Sequence, residues 1–296
     1  MNEPLHSITV LGAGTMGRGI AQVAATGGYR TCLFDVASPA LQAAESRIRQ
    51  NLDKGVKLGK VALETAAAAA SNLSFDSDLE NAVSGTDLVI EAVPESMALK
   101  IEVFSQVAER TPAETYFASN TSGLSITEMA TASGRPERFA GMHFFNPVHL
   151  MRLVELVRGL ETTDQTLEVM RSVAEDMGKQ VVMVNESPGF VTSRINALIG
   201  NEAFRMLEQG VSSAQDIDTA LKLGLNHPMG PFEMVDLVGL DVRLSILEHL
   251  HRTLGDTYRP SNLLLQYVRA GRLGRKTGRG VYQYDADGNV VDQEAK

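Results

Sequence analysis

A histidine and a glutamate twelve residues apart have the chemistry of a general acid/base pair. His143 ends one apolar run, and Glu155 lies inside the next, at 153–157, where a carboxylate is costly unless a polar group satisfies it. An imidazole can take a proton from an alcohol near neutral pH, and a neighbouring carboxylate can fix its tautomer and favour its protonated form. If the two runs are neighbouring strands, this pair predicts acid/base catalysis. The spacing alone leaves open a structural core histidine and a charge on an edge strand.

A glycine-rich segment near the amino terminus predicts a dinucleotide site. Gly12, Gly14 and Gly17 match the pattern G-x-G-x-x-G between an apolar run and a helical segment. The first glycine permits a tight turn, the second lets a pyrophosphate approach the backbone, and the third lets the helix pack on the strand. The helix that opens at Thr15 and Met16 would present backbone amides and partial positive charge to the phosphates.

An acid at the end of the next predicted strand selects the cofactor. Asp35 stands 18 residues after Gly17. Its carboxylate could accept hydrogen bonds from the adenosine ribose and would repel the 2′-phosphate of NADP. Val36 and Ala37 follow it, so no arginine is in place to receive that phosphate. The sequence therefore predicts NAD, and a glycine turn made for packing alone is the disfavoured alternative.

The elements that must position these residues alternate between strand and helix as far as residue 186. Apolar runs predict strands near 8–11, 31–34, 88–90, 116–118, 139–145, 153–157 and 181–184, with helices near 16–27, 38–70, 97–110 and 164–177. This alternation predicts an α/β fold with a Rossmann-type, doubly wound, mostly parallel sheet. Beyond it the pattern is helical. We therefore expect an NAD-binding domain at 1–186 and an all-α domain at 187–296 for substrate binding and dimerisation.

Composition and charge disfavour several classes of binding partner. The chain of 296 residues has 27 Lys and Arg against 36 Asp and Glu, a net charge of −9, which disfavours nucleic acid and anionic membranes. One cysteine, no signal-peptide pattern and no apolar run long enough to cross a bilayer predict a cytoplasmic protein. No His/Cys/Asp group has metal-ligand spacing, so no metal is predicted. The apolar surplus of segments such as 195–206 predicts a homodimer.

Several motifs that occur in order resemble the L-3-hydroxyacyl-CoA dehydrogenase family, and within it the short 3-hydroxybutyryl-CoA dehydrogenases. Besides the glycine fingerprint they are SNTS at 119–122, HFFNP at 143–147, LVE at 153–155, PGFV at 188–191, MGPF at 229–232 and KTGRG at 276–280. The likeness covers about residues 7–284, and HFFNP with its downstream VE is its most specific part.

The resemblance implies a reversible, NAD-dependent oxidation of an (S)-3-hydroxyacyl-CoA to the 3-oxoacyl-CoA. It implies His143 as the general acid/base and Glu155 as its orienting partner. It further implies that Ser122 hydrogen-bonds the substrate's 3-oxygen and that Asn146 lies close to the nicotinamide and the reacting centre.

The resemblance also implies cofactor contacts that the residue types alone do not single out. From residue type alone, Glu95 is interpreted as an acid at a helix amino terminus and Lys100 as a surface charge. Asn120 and Ser122 are interpreted as turn residues. In the family the matching positions, together with that of Lys276, contact NAD.

Substrate contacts are less determined. The family often has Asn where this chain has Ser193, and Asn196 lies three residues on, on the same helix face, so either could serve the substrate. In the family the 38–70 segment forms an arm that helps hold coenzyme A. Lys54 and Lys57 could meet its phosphates, and a solvated charged face is the alternative.

Two other functions stay open at this point. A gulonate-type 3-hydroxy acid dehydrogenase has the same plan, although the Phe144–Phe145 pair argues against it. A non-catalytic protein that keeps the fold for its NAD site is the other, and the complete set of His143, Glu155 and Ser122 disfavours it.

Overall fold

The computed structural model of the chain describes residues 5–292. The chain divides into two compact units, Met1–Phe190 and Val191–Lys296. Each is described by itself below.

The first unit is built on one eight-stranded sheet with strand order β3-β2-β1-β4-β5-β6-β7-β8. The strands are β1 Ser7–Leu11, β2 Arg30–Phe34, β3 Leu73–Asp76, β4 Leu88–Glu91, β5 Tyr116–Ser119, β6 Phe139–Phe144, β7 Leu153–Arg158 and β8 Gln180–Asn185. All neighbours pair parallel except β6 and β7, which are antiparallel. This confirms the predicted Rossmann-type, mostly parallel sheet.

Helices cover the two faces of this sheet. They are α1 Thr15–Thr26, α2 Ser38–Lys57, α3 Leu63–Asn72, α4 Leu79–Val83, α5 Met97–Ala108, α6 Ile126–Ala132 and α7 Asp164–Asp176, with a 3-10 turn at Pro136–Arg138. The central strands read as apolar runs because both of their faces are buried. In β1, for example, Ile8 and Val10 belong to one core cluster and Leu11 belongs to the cluster on the other face.

Helices α4 and α6 were not predicted, and two further features of this unit differ from the sequence prediction. The helix expected over 38–70 is broken, because Gly59 has a left-handed φ of +66° just after α2 ends, and α3 begins only at Leu63. Strand β3 was not predicted. It lies at the edge of the sheet and alternates apolar with polar residues over only four positions, so it lacks the apolar run of the inner strands.

The second unit is mainly helical. Its helices are α8 Thr192–Glu208, α9 Ala214–Gly224, α10 Pro231–Val238, α11 Leu240–Leu254 and α12 Asn262–Arg269, with 3-10 turns at Asp256–Tyr258 and Arg275–Thr277. Helix α9 is capped at its amino terminus, since the Ser213 hydroxyl accepts from the Asp216 amide at 3.1 Å. The unit is not entirely helical, because Gln283–Tyr284 (β9) and Val290–Asp292 (β10) form an antiparallel hairpin.

Buried aspartates explain two of the motifs in the second unit. Asp236 accepts hydrogen bonds from the amides of Val281 and Tyr282, both at 2.9 Å, and a Cβ on Gly280 would lie 2.0 Å from its Oδ1. A Cβ on Gly230 would lie 2.4 Å from that of Asp218. These glycines therefore permit close packing against the aspartates.

Over the described residues, no helix combines the length and the apolar character that crossing a bilayer requires. In the same part of the chain, no three His, Cys, Asp or Glu side chains converge where they could hold a metal ion.

Candidate active site

The predicted acid/base pair is formed across the one antiparallel pairing of the sheet. His143 and Glu155 stand directly opposite each other in β6 and β7, so their side chains share a face. His143 Nδ1 lies 2.7 Å from Glu155 Oε2, and the two residues are 5% and 1% exposed. A carboxylate can only accept, so Nδ1 carries the hydrogen and the Nε2 lone pair is left for another partner.

Aromatic rings surround this imidazole. The ring centroid of Phe145 lies 4.5 Å from that of His143, and the ring of Phe190 lies at 5.9 Å. Phe190 is reached through a turn in which Gly189 and Phe190 both have positive φ, +72° and +48°. The PGF motif thus directs an apolar ring toward His143, and such rings limit the access of water to the imidazole.

The glycine fingerprint has the geometry of a dinucleotide cradle. Gly12 has φ +99°, and a Cβ there would lie 2.8 Å from the Ala92 carbonyl oxygen. A Cβ on Gly17 would lie 1.7 Å from the Gly12 oxygen, so the turn closes tightly on the helix. A Cβ on Gly14 would meet nothing within 4 Å. Helix α1 starts at Thr15 with no side-chain cap. The open space at Gly14 and the uncapped amides fit a bound pyrophosphate.

Asp35 is held against this cradle at the end of β2. Its Oδ2 accepts from the amide of Ala13 at 2.8 Å, and its Oδ1 accepts from the amide of Ala37 at 2.9 Å. The two bonds fix the carboxylate beside the glycine turn. This is the position from which an acid can bind the ribose of a dinucleotide.

A buried carboxylate that the sequence analysis missed lies at the end of β4. Glu91 is 0% exposed and Lys100, on α5, is 1% exposed, with Nζ 2.6 Å from Glu91 Oε1. Lys100 is therefore not the surface charge that its residue type suggests. Burial raises the pKa of Glu91, while Lys100, the Ser119 hydroxyl and the Val93 amide favour its charged form. The signal was available, because Glu91 closes an apolar strand as Glu155 interrupts one.

The remaining predicted contacts of this unit lie at the ends of β5 and β6. Asn120 Oδ1 accepts from the Phe144 amide at 2.9 Å and so ties the turn after β5 to the strand of His143. The Ser122 amide donates to Glu95 Oε1 at 3.0 Å, and Ser122 is exposed. Asn146, just beyond β6, is also exposed. The polar groups of both residues are therefore accessible to a ligand.

Other predicted residues lie elsewhere. Lys54 and Lys57 are exposed on the last turn of α2. Ser193 and Asn196 lie on α8 of the second unit. Lys276 belongs to the same unit and lies in its 3-10 turn at Arg275–Thr277. Lys276 Nζ is within 2.6 and 2.7 Å of the two carboxylate oxygens of Asp241. The roles of these five residues toward cofactor or substrate stay predictions.

Comparison with known families agrees with this geometry. Residues 7–187 match the 3-hydroxyacyl-CoA dehydrogenase NAD binding domain, and residues 189–284 match the C-terminal domain of the same enzymes. The chain belongs to the 3-hydroxyacyl-CoA dehydrogenase family. The protein is accordingly an oxidoreductase, and its cofactor is NAD.

Similar proteins are distributed over several bacteria. The chain is 45% identical to a probable 3-hydroxybutyryl-CoA dehydrogenase of Bacillus subtilis, over 95% of this chain and 98% of the relative. It is 43% identical to a 3-hydroxybutyryl-CoA dehydrogenase of Bradyrhizobium diazoefficiens, over 96% and 97%. The crystal structure of the (S)-3-hydroxybutyryl-CoA dehydrogenase of Ralstonia eutropha matches with a TM-score of 0.92 and 41% identity, over 95% of this chain and 99% of that one.

Proposed function

We propose that this dehydrogenase catalyses the reversible NAD-dependent oxidation of (S)-3-hydroxyacyl-CoA thioesters to 3-oxoacyl-CoA, with 3-hydroxybutyryl-CoA as the preferred substrate. The observation that carries the proposal is the buried His143–Glu155 pair, joined at 2.7 Å in the same sheet that carries the dinucleotide cradle. The short acyl chain is inferred from the names of the relatives in Bacillus, Bradyrhizobium and Ralstonia.

The chemistry follows from the free nitrogen of the pair. In the oxidation, His143 Nε2 takes the proton of the 3-hydroxyl, and the Glu155 carboxylate stabilises the imidazolium that forms. The glycine cradle and Asp35 would hold NAD, which would supply the hydride acceptor for C3. In the reverse direction the imidazolium returns its proton to the 3-oxygen. The exposed Ser122 hydroxyl binds that oxygen, and Asn146 assists at the reacting centre.

Other residues are proposed to hold the substrate. Lys54 and Lys57, which both lie in the last turn of α2, bind the phosphates of coenzyme A. On α8, Ser193 or Asn196 supplies the polar contact that the family obtains from Asn. Phe145 and Phe190 keep water from the imidazole.

The second unit also supports the proposal of a homodimer. Ile195, Leu237 and Val242 on α8, α10 and α11 are 53%, 49% and 41% exposed. Burial of these exposed apolar side chains against a second copy of the chain would remove them from water. Sedimentation at micromolar concentration checks it, and a monomer alone would contradict it.

The proposed location is the cytoplasm. Cys32 is the one cysteine and its thiol is free, as is usual in a reducing compartment. Fractionation of the source cells, with the protein followed by antibody, tests this.

The decisive test of function compares substrates. NADH oxidation should be fastest with acetoacetyl-CoA, slower with longer 3-oxoacyl-CoA thioesters, and negligible with free 3-oxo acids. A preference for the free acids would instead identify a gulonate-type enzyme.

The decisive test of mechanism is His143→Gln. Turnover should fall by about two to four orders of magnitude because the proton acceptor is lost, while NADH affinity stays nearly unchanged. His6→Gln, at an exposed histidine before β1, is the control and should keep full turnover. Full turnover of His143→Gln would overturn the assignment.

A further inference from the structure

The buried carboxylate of Glu91 has every oxygen occupied by a donor from a different part of the chain. Oε1 accepts from Lys100 Nζ at 2.6 Å and from the Val93 amide at 2.7 Å, and Oε2 accepts from the Ser119 hydroxyl at 2.6 Å. Glu91 ends β4, Ser119 ends β5 and Lys100 belongs to α5. One side chain thus ties two strand ends and a helix together.

These contacts continue into a closed ring of polar side chains. Lys100 Nζ also lies 3.3 Å from Glu95 Oε2, and Glu95 Oε1 accepts from the Thr121 hydroxyl at 2.6 Å and from the Ser122 amide at 3.0 Å. The Thr121 amide returns to the Ser119 oxygen at 3.2 Å, which closes the ring. The ring therefore fixes the turn that presents Ser122 to a ligand.

The ring joins a buried half to an accessible half. Glu91 and Lys100 are fully buried, whereas the Glu95 side chain is 49% exposed. Left to itself, a lysine beside an exposed glutamate would keep its ammonium in water, because burying a charge is costly unless it is paired. The Glu91 carboxylate is what holds the ammonium inside, and Glu95 is oriented on that buried ammonium.

The ring stands next to the dinucleotide cradle. Ala92, which follows Glu91, is the residue against which Gly12 and Gly17 pack. Dinucleotides bind across the carboxyl ends of the strands in such sheets. Glu91 and Ser119 are the last residues of β4 and β5 and so lie at this edge. Contacts in this ring are therefore made at the edge of the cofactor site.

We infer that Glu91 is a positioning residue for the dinucleotide: it acts through Lys100 and Ser119 to hold Glu95 and the Ser119–Ser122 turn in the binding geometry. Glu91 has no access to the cofactor itself. The inference relies on the proposed function only for the identity of the ligand.

The first test is Glu91→Gln, with NADH binding followed by the change in its fluorescence. The amide keeps the size of the side chain but removes the charge that holds Lys100. The Kd for NADH should rise about tenfold, as expected when a charge-assisted hydrogen bond is lost.

A matched control lies at the other end of the same strand. Asp87 precedes β4 and accepts from the amides of His6 and Ser7 at 2.8 and 2.9 Å and from the Ser7 hydroxyl at 2.8 Å. Asp87→Asn removes a charge with equally many donors, about 13 Å away along the strand. It should lower stability and leave the Kd for NADH unchanged. An equal rise in Kd for both variants would show a general loss of stability and overturn the inference.

The second test is a double-mutant cycle. Lys100→Met should weaken NADH binding by itself. Adding Glu91→Gln to it should then change the Kd by no more than about threefold, because Lys100 is gone and only the contact of Glu91 with Ser119 remains. A full tenfold effect in that background would overturn the inference. If Glu91→Gln does not fold, Ser119→Ala removes one donor only and should raise the Kd about threefold; an unchanged Kd contradicts the inference.

These measurements use NADH alone. If the unchanged protein binds NADH but reduces no 3-oxoacyl thioester, the proposed function fails while the inference about Glu91 stands.

Discussion

Replacing Glu155 by Gln tests the acid/base pair most directly, because the change removes one charge and keeps the shape. In the structure the carboxylate lies 2.7 Å from His143 Nδ1, and Glu155 is 1% exposed, so solvent screens the interaction little. The amide oxygen of Gln can still accept from Nδ1. Orientation of the ring is therefore largely kept, and the loss is mainly electrostatic.

The size of the effect follows from the geometry of the pair. With donor and acceptor in hydrogen-bond contact, the charge centres of imidazolium and carboxylate are about 4 Å apart, which is worth about 4 kcal/mol at an effective dielectric constant of about 20. The neutral amide retains part of this through its dipole. A loss of about 2–4 kcal/mol in the transition state corresponds to a fall in kcat of about 30- to 1000-fold.

The assay is the initial rate of NADH formation from (S)-3-hydroxybutyryl-CoA under saturating conditions, with NADH affinity measured separately by fluorescence. Glu186→Gln is the control, since Glu186 accepts from the hydroxyls of Ser125 and Thr127 and has no contact with His143. It should keep normal turnover. If Glu155→Gln keeps more than half of the turnover, or if it loses NADH affinity to the same extent as turnover, the reasoning is refuted.

Three further outcomes are expected. Asp35→Ser should weaken NADH binding, and the ratio of the Kd for NADPH to the Kd for NADH should fall by about tenfold, because the carboxylate that repels a 2′-phosphate is gone. An unchanged ratio would contradict this. Arg243→Met should raise the free energy of unfolding, measured in urea, by about 1–3 kcal/mol, because it removes a poorly satisfied buried charge. Arg243 is 1% exposed, its Nε has no hydrogen-bond partner in the described part of the chain, and burial lowers its pKa to about 10. A variant less stable than the unchanged protein would disprove this prediction. Burial lowers the pKa of Lys179 to about 8, so above about pH 8 the folded state releases this proton before the unfolded state does. The stability of the unchanged protein relative to Lys179→Met should therefore rise between about pH 8 and pH 10, and a constant difference from pH 7 to pH 10 would count against it.

Much of the first unit was predictable because its signals are local. The inner strands are apolar on both faces and stand out as runs, and Gly12, Gly14 and Gly17 recur at the fixed spacing of a dinucleotide-binding turn. Local signals also misled. The helical composition of 38–70 hides the break that the left-handed Gly59 introduces, and the edge strand β3 is too short and too polar to be recognised.

The site was predictable only in part. His143 and Glu155 were identified as candidates, but their contact depends on the antiparallel register of β6 and β7, which no local pattern specifies. Lys100 had the residue type of a solvated helix charge, and only the fold shows that it points inward to Glu91.

The sequence by itself determined the inner strands and most of the helices that pack on them, where the dinucleotide turn lies, and that the acid after β2 favours NAD, because periodicity, glycine conformation and residue charge act over a few neighbouring positions. The tertiary structure decided which polar groups meet. Burying a charge such as Glu91 or Glu155 is tolerable only when a partner from another element arrives with the right register, and that arrangement is a property of the packed sheet as a whole.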